Sequence, residues 1–213
     1  MNVAPLSTTR ARKGQPATDF PGAEFLHTRR MSLRGLRLAD VAALTALNAD
    51  PEVARWLLEP IETDYFGIAK VVFRANELYL ARPGLGAWRA DDDEGRFLGI
   101  FSLMPLEGSE EIEIGTRLNR FAWARLLAVE GGRALCAHAF TNLGLPRLAG
   151  LCHPRNVAVP AILRRLGFVA NGEAQYHGKT ALRFVLERQE WRKRQTVSLN
   201  DTGAETPAQE STA

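Results

Sequence analysis

The stretch Glu111-Ile-Glu-Ile-Gly-Thr-Arg-Leu118 decides the fold. Side chains of an extended chain point to alternate faces, so Ile112, Ile114, Thr116 and Leu118 fall on one side and Glu111, Glu113 and Arg117 on the other. This is a strand with one face on a core and one face wet. Before it, Gly86 to Arg89 and Arg96 to Met104 read as two more strands, joined by turns rich in Asp, Glu and Gly, so the three make an antiparallel meander. After it the spacing predicts a helix from about Leu126 to Leu143, a strand over Arg147 to His153, a helix near Ala158 to Leu166, and two closing strands, Phe168 to Tyr176 and Thr180 to Glu187. Both helices stop at a glycine, Gly144 and Gly167, as left-handed C-terminal caps do.

Upstream, Met31 and Leu33 alternate with Arg30, Ser32 and Arg34, which predicts one strand over Leu26 to Leu36. Asp40 reads as the N-cap of a helix carrying Val41, Leu44 and Leu47. Asp50-Pro51-Glu52 opens a short helix with cap, proline and acid in order, and Trp56 and Leu57 belong to its buried face. Tyr65, Ile68, Val72 and Tyr79 give a third helix between Thr63 and Tyr79. The order implies an α/β (α+β) fold: one domain with a mixed, mostly antiparallel central sheet and helices on both faces. That domain spans 23–193. Residues 1–22 and 194–213 are polar and poor in large apolar side chains, and are expected to be a disordered arm and tail.

The chain has 213 residues, 46% hydrophobic and 24% charged, inside the globular range. No apolar run approaches the roughly 20 residues of a bilayer span, and Ala122 to Val129 is interrupted by Arg125. Arg10, Arg12 and Lys13 stand in an N-terminus without the apolar stretch of a secretory signal, so a cytoplasmic protein is expected. Cys136 and Cys152 have no Cys or His at ligand spacing and read as reduced core residues; no metal is implied. A net charge of +3 and a pI near 9.1 suit phosphate-bearing partners, but no basic stripe interleaved with aromatics points to nucleic acid. Neither a Gly-x-Gly-x-x-Gly nor a P-loop motif is present, which leaves nicotinamide cofactors and P-loop ATP binding without support.

Arg30-Met-Ser-Leu-Arg34, Asp50-Pro-Glu-Val53, Glu113-Ile-Gly115, Trp123 to Glu130, Asn156, Leu166-Gly-Phe168 and Leu186-Glu-Arg188 with Trp191 form a set whose order and spacing matter more than any one piece. Over residues 24–192 this set resembles the GNAT N-acetyltransferases, in particular the ribosomal-protein alanine acetyltransferase branch. The resemblance implies acetyl-CoA as cosubstrate and an amine acceptor, either a protein N-terminus or a small molecule; a homodimer is compatible with it. It also implies Glu113 as the base that deprotonates the amine, since an ammonium has no lone pair; on residues alone Glu113 reads as a solvent-facing acid of a half-buried strand. Main-chain N–H groups of Thr116, Arg117 and Leu118 would hold the carbonyl oxygen and the pantetheine amides.

In this branch the turn into the long helix commonly reads Trp-Gly-x-Gly-x-Ala, and it cradles the pyrophosphate on free backbone N–H groups. Here it is Trp123-Ala124-Arg125-Leu126-Leu127-Ala128, with Ala124 and Leu126 where the glycines stand. A positive φ at Leu126 would strain a leucine. Asn156 caps the following helix or contacts the pantetheine arm, and both roles are open. Val159 occupies the position where the branch carries a serine, so that hydroxyl acid is missing; Tyr176 is the candidate acid, and reads equally as a strand aromatic. Ala124, Leu126 and Val159 together motivate a rival reading, a GNAT-shaped CoA-binding or regulatory protein with impaired catalysis.

Overall fold

The structure is a computed structural model that describes residues 24–201 and Gly22, with side chains as far as Thr196; the remainder of the arm and tail lies outside the described residues. Its core is an eight-stranded sheet in the order β1-β2-β3-β4-β5-β6-β8-β7. The strands are β1 (Glu24–His27), β2 (Ser32–Gly35), β3 (Gly86–Asp91), β4 (Phe97–Pro105), β5 (Ile112–Leu118), β6 (Arg147–Cys152), β7 (Val169–Tyr176) and β8 (Lys179–Glu187). Every neighbouring pair is antiparallel except β5 and β6. The meander and the closing hairpin stand where the alternation places them.

The single strand expected over Leu26 to Leu36 is a hairpin instead. Thr28 turns the chain: its N–H donates to the Met31 carbonyl at 2.9 Å and its Oγ1 accepts from the Met31 N–H at 3.2 Å. Asp40 does not cap α1 (Val41–Ala49). Its buried carboxylate accepts from Arg34 Nη1 and Nη2 at 2.9 and 2.7 Å, from Arg89 Nη1 at 3.0 Å and from the Arg37 N–H at 2.8 Å, tying β2 and β3 to the helix start. Burial pushes its pKa up, but the Arg34 hydrogen bonds, the Arg37 N–H and the two guanidinium charges outweigh that and hold it below the usual carboxylate value. Asp50 caps α2 (Pro51–Ala54) through the Glu52 N–H at 2.8 Å, as expected.

In α3 (Tyr65–Ala81), Ile68, Val72 and Tyr79 face inward, whereas Tyr65, in its first turn, is exposed. Helices α1 and α3 cover one face of the sheet through Leu36, Val41, Leu44, Ile68 and Val72 against Ile100. On the other face α4 (Leu127–Ala137) and α5 (Ala158–Leu166) pack Leu127, Leu135 and Leu163 against Phe101, Leu103 and Leu148. The helix-interior glycines of α4 answer to this packing. A Cβ at Gly131 would lie 2.4 Å from the Phe101 ring, and one at Gly132 would lie 2.7 Å from Leu166 Cδ1, so a side chain rather than a ligand explains each.

Past Ala137 the helix widens to π geometry over His138–Asn142, with the Leu143 N–H bonding the His138 carbonyl. Gly144 and Gly167 both have positive φ, at +65° and +102°, and end their helices as expected. The last helix, α6 (Arg188–Asp201), runs past the domain boundary placed at 193. No helix among the described residues is long and apolar enough to cross a membrane.

Candidate active site

Parallel strands β5 and β6 meet at a single ladder position among the described residues, Glu113 opposite Ala149. At the start of β5 the two are clamped: Glu111 receives Arg183 Nη2 of β8 at 2.7 Å on both oxygens, with Arg147 of β6 at 3.6 Å. From Ile114 to Leu118 the strand keeps its pairing with β4, which ends at Gly99 opposite Leu118, but has no ladder partner toward β6 among the described residues. The result is a wedge, closed at Glu111 and open toward the turn that leads into α4. Unpaired strand edges offer N–H and C=O groups to an extended chain of amides.

Glu113 sits at the vertex. Burial raises its carboxyl pKa, the charge of Glu59 adds to the rise, and the backbone N–H of Leu151 opposes it; the balance lies at about 8. A carboxyl poised there exchanges protons near neutral pH, which a solvent-facing strand acid would not do. A carboxyl in such surroundings can serve as a general base.

The sequence pattern did not single out Glu59, because nothing in a loop between two helices marks it. Arg117, four residues beyond Glu113 and on the same face of β5, forms an ion pair with Glu59 and donates through Nη1 to Asn48 Oδ1 of α1. Asn48 in turn donates to the Glu62 carbonyl at 2.7 Å. The Arg117 guanidinium is therefore committed to holding this loop, and only its backbone is left for a cofactor. Trp56 meets His153 edge-on at 5.9 Å, and Lys179 Nζ reaches the Leu57 carbonyl at 3.4 Å, so the loop also touches the end of β6 and the β7–β8 hairpin. The segments Trp56 to Tyr65 and Gln175 to Lys179 thus come together. Tyr176 joins them: burial, then the charges of Glu113, Glu59 and Glu107, push its pKa to about 12, so its phenol keeps its proton at neutral pH.

Around the turn, Trp123 Nε1 donates to the Leu118 carbonyl at 2.9 Å and closes the end of β5. Ala124 and Leu126 both adopt left-handed φ, +58° and +59°, as the glycine pattern requires. Leu126 is 54% exposed and lines the cleft beside α4. Arg125 is exposed, Leu127 buried and Ala128 partly buried, and Thr116 is exposed at the open side of the wedge. A cleft of about 560 Å³ opens beside Leu126, with Arg30, Arg133 and Arg165 in its wall. Glu130 takes up Arg30 at 2.6 Å, leaving Arg133 and Arg165, neither visible as a motif, as the basic groups beside the turn.

Left-handed geometry costs a non-glycine residue about 1–2 kcal/mol, partly offset because glycine gains freedom in the unfolded chain. Ala124→Gly and Leu126→Gly are therefore each expected to stabilise the fold by about 1 kcal/mol, read as a higher Tm by circular dichroism. Unchanged or lower melting in both would mean that the turn relaxes without strain.

Asn156 is a cap: its Oδ1 accepts from the Ala158 and Val159 N–H groups at 3.0 and 3.1 Å. The buried His138 donates through Nε2 to the Gly84 carbonyl at 3.0 Å, and burial lowers its pKa, so it remains neutral and structural. Cys136 and Cys152 are buried free thiols, Cys136 pushed up to about 12, which makes neither a nucleophile. No cluster of metal-ligating side chains occurs among the described residues.

Residues 30–169 match the acetyltransferase (GNAT) domain family. The uncharacterized N-acetyltransferase p20 of Bacillus licheniformis is 26% identical over 164 residues, 76% of this chain and 92% of its own. The FsC-acetyl coenzyme A-N(2)-transacetylase of Aspergillus fumigatus is 27% identical across 82% of this chain and 80% of its own length. Among solved structures, an acetyltransferase from Agrobacterium tumefaciens superposes with a TM-score of 0.68 at 25% identity, covering 82% of this chain and 99% of that one. With the family domain spanning most of its length, the chain belongs to the GNAT acetyltransferases and is an acetyl-transferring enzyme.

Proposed function

We propose that the chain transfers an acetyl group from acetyl-CoA to a primary amine, of a protein N-terminus or a small molecule, by direct attack with Glu113 as general base. The observation that carries this reading is the position of Glu113 at the vertex of the wedge with its pKa near 8. The chain fits acetyl-CoA in three respects. The open edge of β5 offers backbone groups to an arm of amides, the turn is left-handed at Ala124 and Leu126 where the pattern has glycine, and Arg133 and Arg165 stand beside the helix start where phosphates would lie.

Acetyl-CoA, when bound, supplies an acyl carbonyl activated as a thioester. The ionised Glu113 takes the proton from the acceptor ammonium and frees its lone pair. The N–C bond then forms as the C–S bond breaks. Tyr176, held protonated, donates to the departing sulfur, the second proton of the attacking nitrogen passes to the phenolate so formed and leaves the neutral amide, and main-chain N–H groups of Thr116 to Leu118 stabilise charge on the carbonyl oxygen. Asn156 holds the start of α5 through its cap and faces the arm. Within the family the Trp123 to Ala128 turn favours the ribosomal-protein alanine branch, acting in the cytoplasm where Cys136 and Cys152 stay reduced.

The test is titration with acetyl-CoA over a panel of amines, reading Tm and thiol release together. Binding at 100 times Kd is expected to stabilise the fold by about 2.7 kcal/mol, and at least one amine should release thiol above the hydrolysis background. Stabilisation without thiol release over the whole panel would favour the impaired, CoA-binding reading. No stabilisation would remove the transferase proposal.

A further inference from the structure

Arg117 is the one basic residue of β5, and it shares a face of that strand with Glu113. Gly115 lies between them on this face and adds no side chain; a Cβ there would stand 2.4 Å from Ser102 Oγ of β4. The Arg117 side chain is 16% exposed and divides its donors between two elements. Nη1 donates to Asn48 Oδ1 near the end of α1, Nη2 donates to Glu59 in the loop between α2 and α3, and Nε is buried with no partner among the described residues. Burial opposes the Arg117 charge, and the charge and hydrogen bond of Glu59 support it. Glu59 depends on the contact in turn. It follows the buried Leu58, its own side chain is 37% exposed, and among the described residues it has no other ion pair or hydrogen bond. Without Arg117, no contact keeps that carboxylate from turning into water.

Taking Glu113 as the base of the proposed transfer, we propose that Arg117 is its positioning residue: acting through Glu59, it holds a second carboxylate where that charge bears on Glu113, and so sets the pH range of the reaction. Asn48 adds a second tie, since its Nδ2 donates to the Glu62 carbonyl three residues beyond Glu59 at 2.7 Å. The loop is thus fastened to the strand that carries the base. Glu113 is faced by Glu59 from the loop, by the Leu151 N–H from β6 and by Tyr176 from β7, and Tyr176 also senses Glu107 from the β4–β5 turn. The phenol is neutral and the N–H favours the carboxylate, which leaves Glu59 as the charge that opposes ionisation of Glu113. A like charge has this effect only while it stays close and shielded from water. The placement of Glu59 is therefore a control on the base.

The experiment compares pH profiles of kcat/KM, between about pH 6 and 9.5, for the parent chain, Glu59→Gln, Arg117→Met and the double variant, with an amine that the parent acetylates. Melting by circular dichroism identifies the folded variants. The parent limb is expected to turn near pH 8. Glu59→Gln should lower the turning point by about one pH unit, the size of one charge acting across several ångströms of partly wet protein. Arg117→Met should lower it as well, because the freed Glu59 turns to solvent. The double variant should match Glu59→Gln, because Arg117 acts through Glu59. Had Arg117 only neutralised Glu59, Arg117→Met would raise the turning point and the double variant would leave it unmoved. Either of those outcomes, or turning points at the parent value in all three variants, would overturn the proposal. The double variant removes both charges of the pair, so it is expected to fold even where a single variant does not, and its turning point alone separates the two cases. A parent profile without a limb would instead remove Glu113 as the base, and this role of Arg117 with it.

Discussion

On the proposed mechanism, Glu113→Gln is expected to lower kcat by about 10²–10⁴-fold while leaving acetyl-CoA affinity unchanged, since it would remove the base and keep the shape. The pH dependence carries the same signature. With a pKa of about 8, Glu113 in the parent enzyme is mostly protonated at neutral pH, and the carboxylate is the active form. Below that value kcat/KM should climb about tenfold per pH unit and then level off above it. The variant should lose this limb. Stability moves in the opposite direction. The folded pKa lies above the ordinary value of 4.5, so the proton is held more tightly in the folded state. That contribution is complete below pH 4.5 and disappears as pH rises through 8. Glu113→Gln should therefore melt higher than the parent above pH 8, where the parent buries a charge. Steady-state kinetics and melting curves between pH 6 and 9.5 check both, and a flat parent profile would remove Glu113 from the role of base.

Gly99→Ala is expected to destabilise the fold by about 3 kcal/mol and lower Tm by roughly 6–12 °C. Gly99 has φ +145°, and a Cβ there would lie 2.2 Å from the Arg117 carbonyl oxygen and 2.7 Å from Leu118 Cα. These are backbone atoms of β5, with no flexible end to swing aside. The strand must retreat at the point where Gly99 pairs with Leu118 and the Asn119 N–H bonds the Leu98 carbonyl, and there it feeds the turn into α4. The KM for acetyl-CoA should rise more than the KM for the amine. Gly95→Ala is the control: its φ is also positive, +76°, but nothing lies within 4 Å of the added carbon. Equal losses in the two variants would attribute the effect to φ alone rather than to contact with β5.

What sequence periodicity carries and what it does not divide by contact range. Alternation in Glu111 to Leu118 and helical spacing in Ala158 to Leu166 are local, and these elements lie within one residue of their expected bounds. The hairpin at Thr28 was hidden because alternation continues through Arg30 to Arg34 while the reversal depends on one backbone hydrogen bond and one to the Thr28 hydroxyl. Asp40 has the residue type and position of a cap, but Arg34 and Arg89 outcompete the helix N–H groups for it. In the site, Glu113 and Tyr176 could be named from the chain. Their shared field could not, because Glu59 reaches Arg117 across 58 positions and acts on both. The turn was half visible: the missing glycines at Ala124 and Leu126 posed a question about φ that only the backbone answers.

The Glu111 clamp separates the tasks of the two strands. One carboxylate, held by Arg183 and approached by Arg147, pins β5 and β6 at their base, so their divergence is already present in the free chain. A guest arriving there meets a doorway standing ajar instead of a ladder to be unzipped, and its affinity is not spent on prying hydrogen bonds apart. The same pin makes the doorway sensitive to ionic strength at a spot remote from any phosphate.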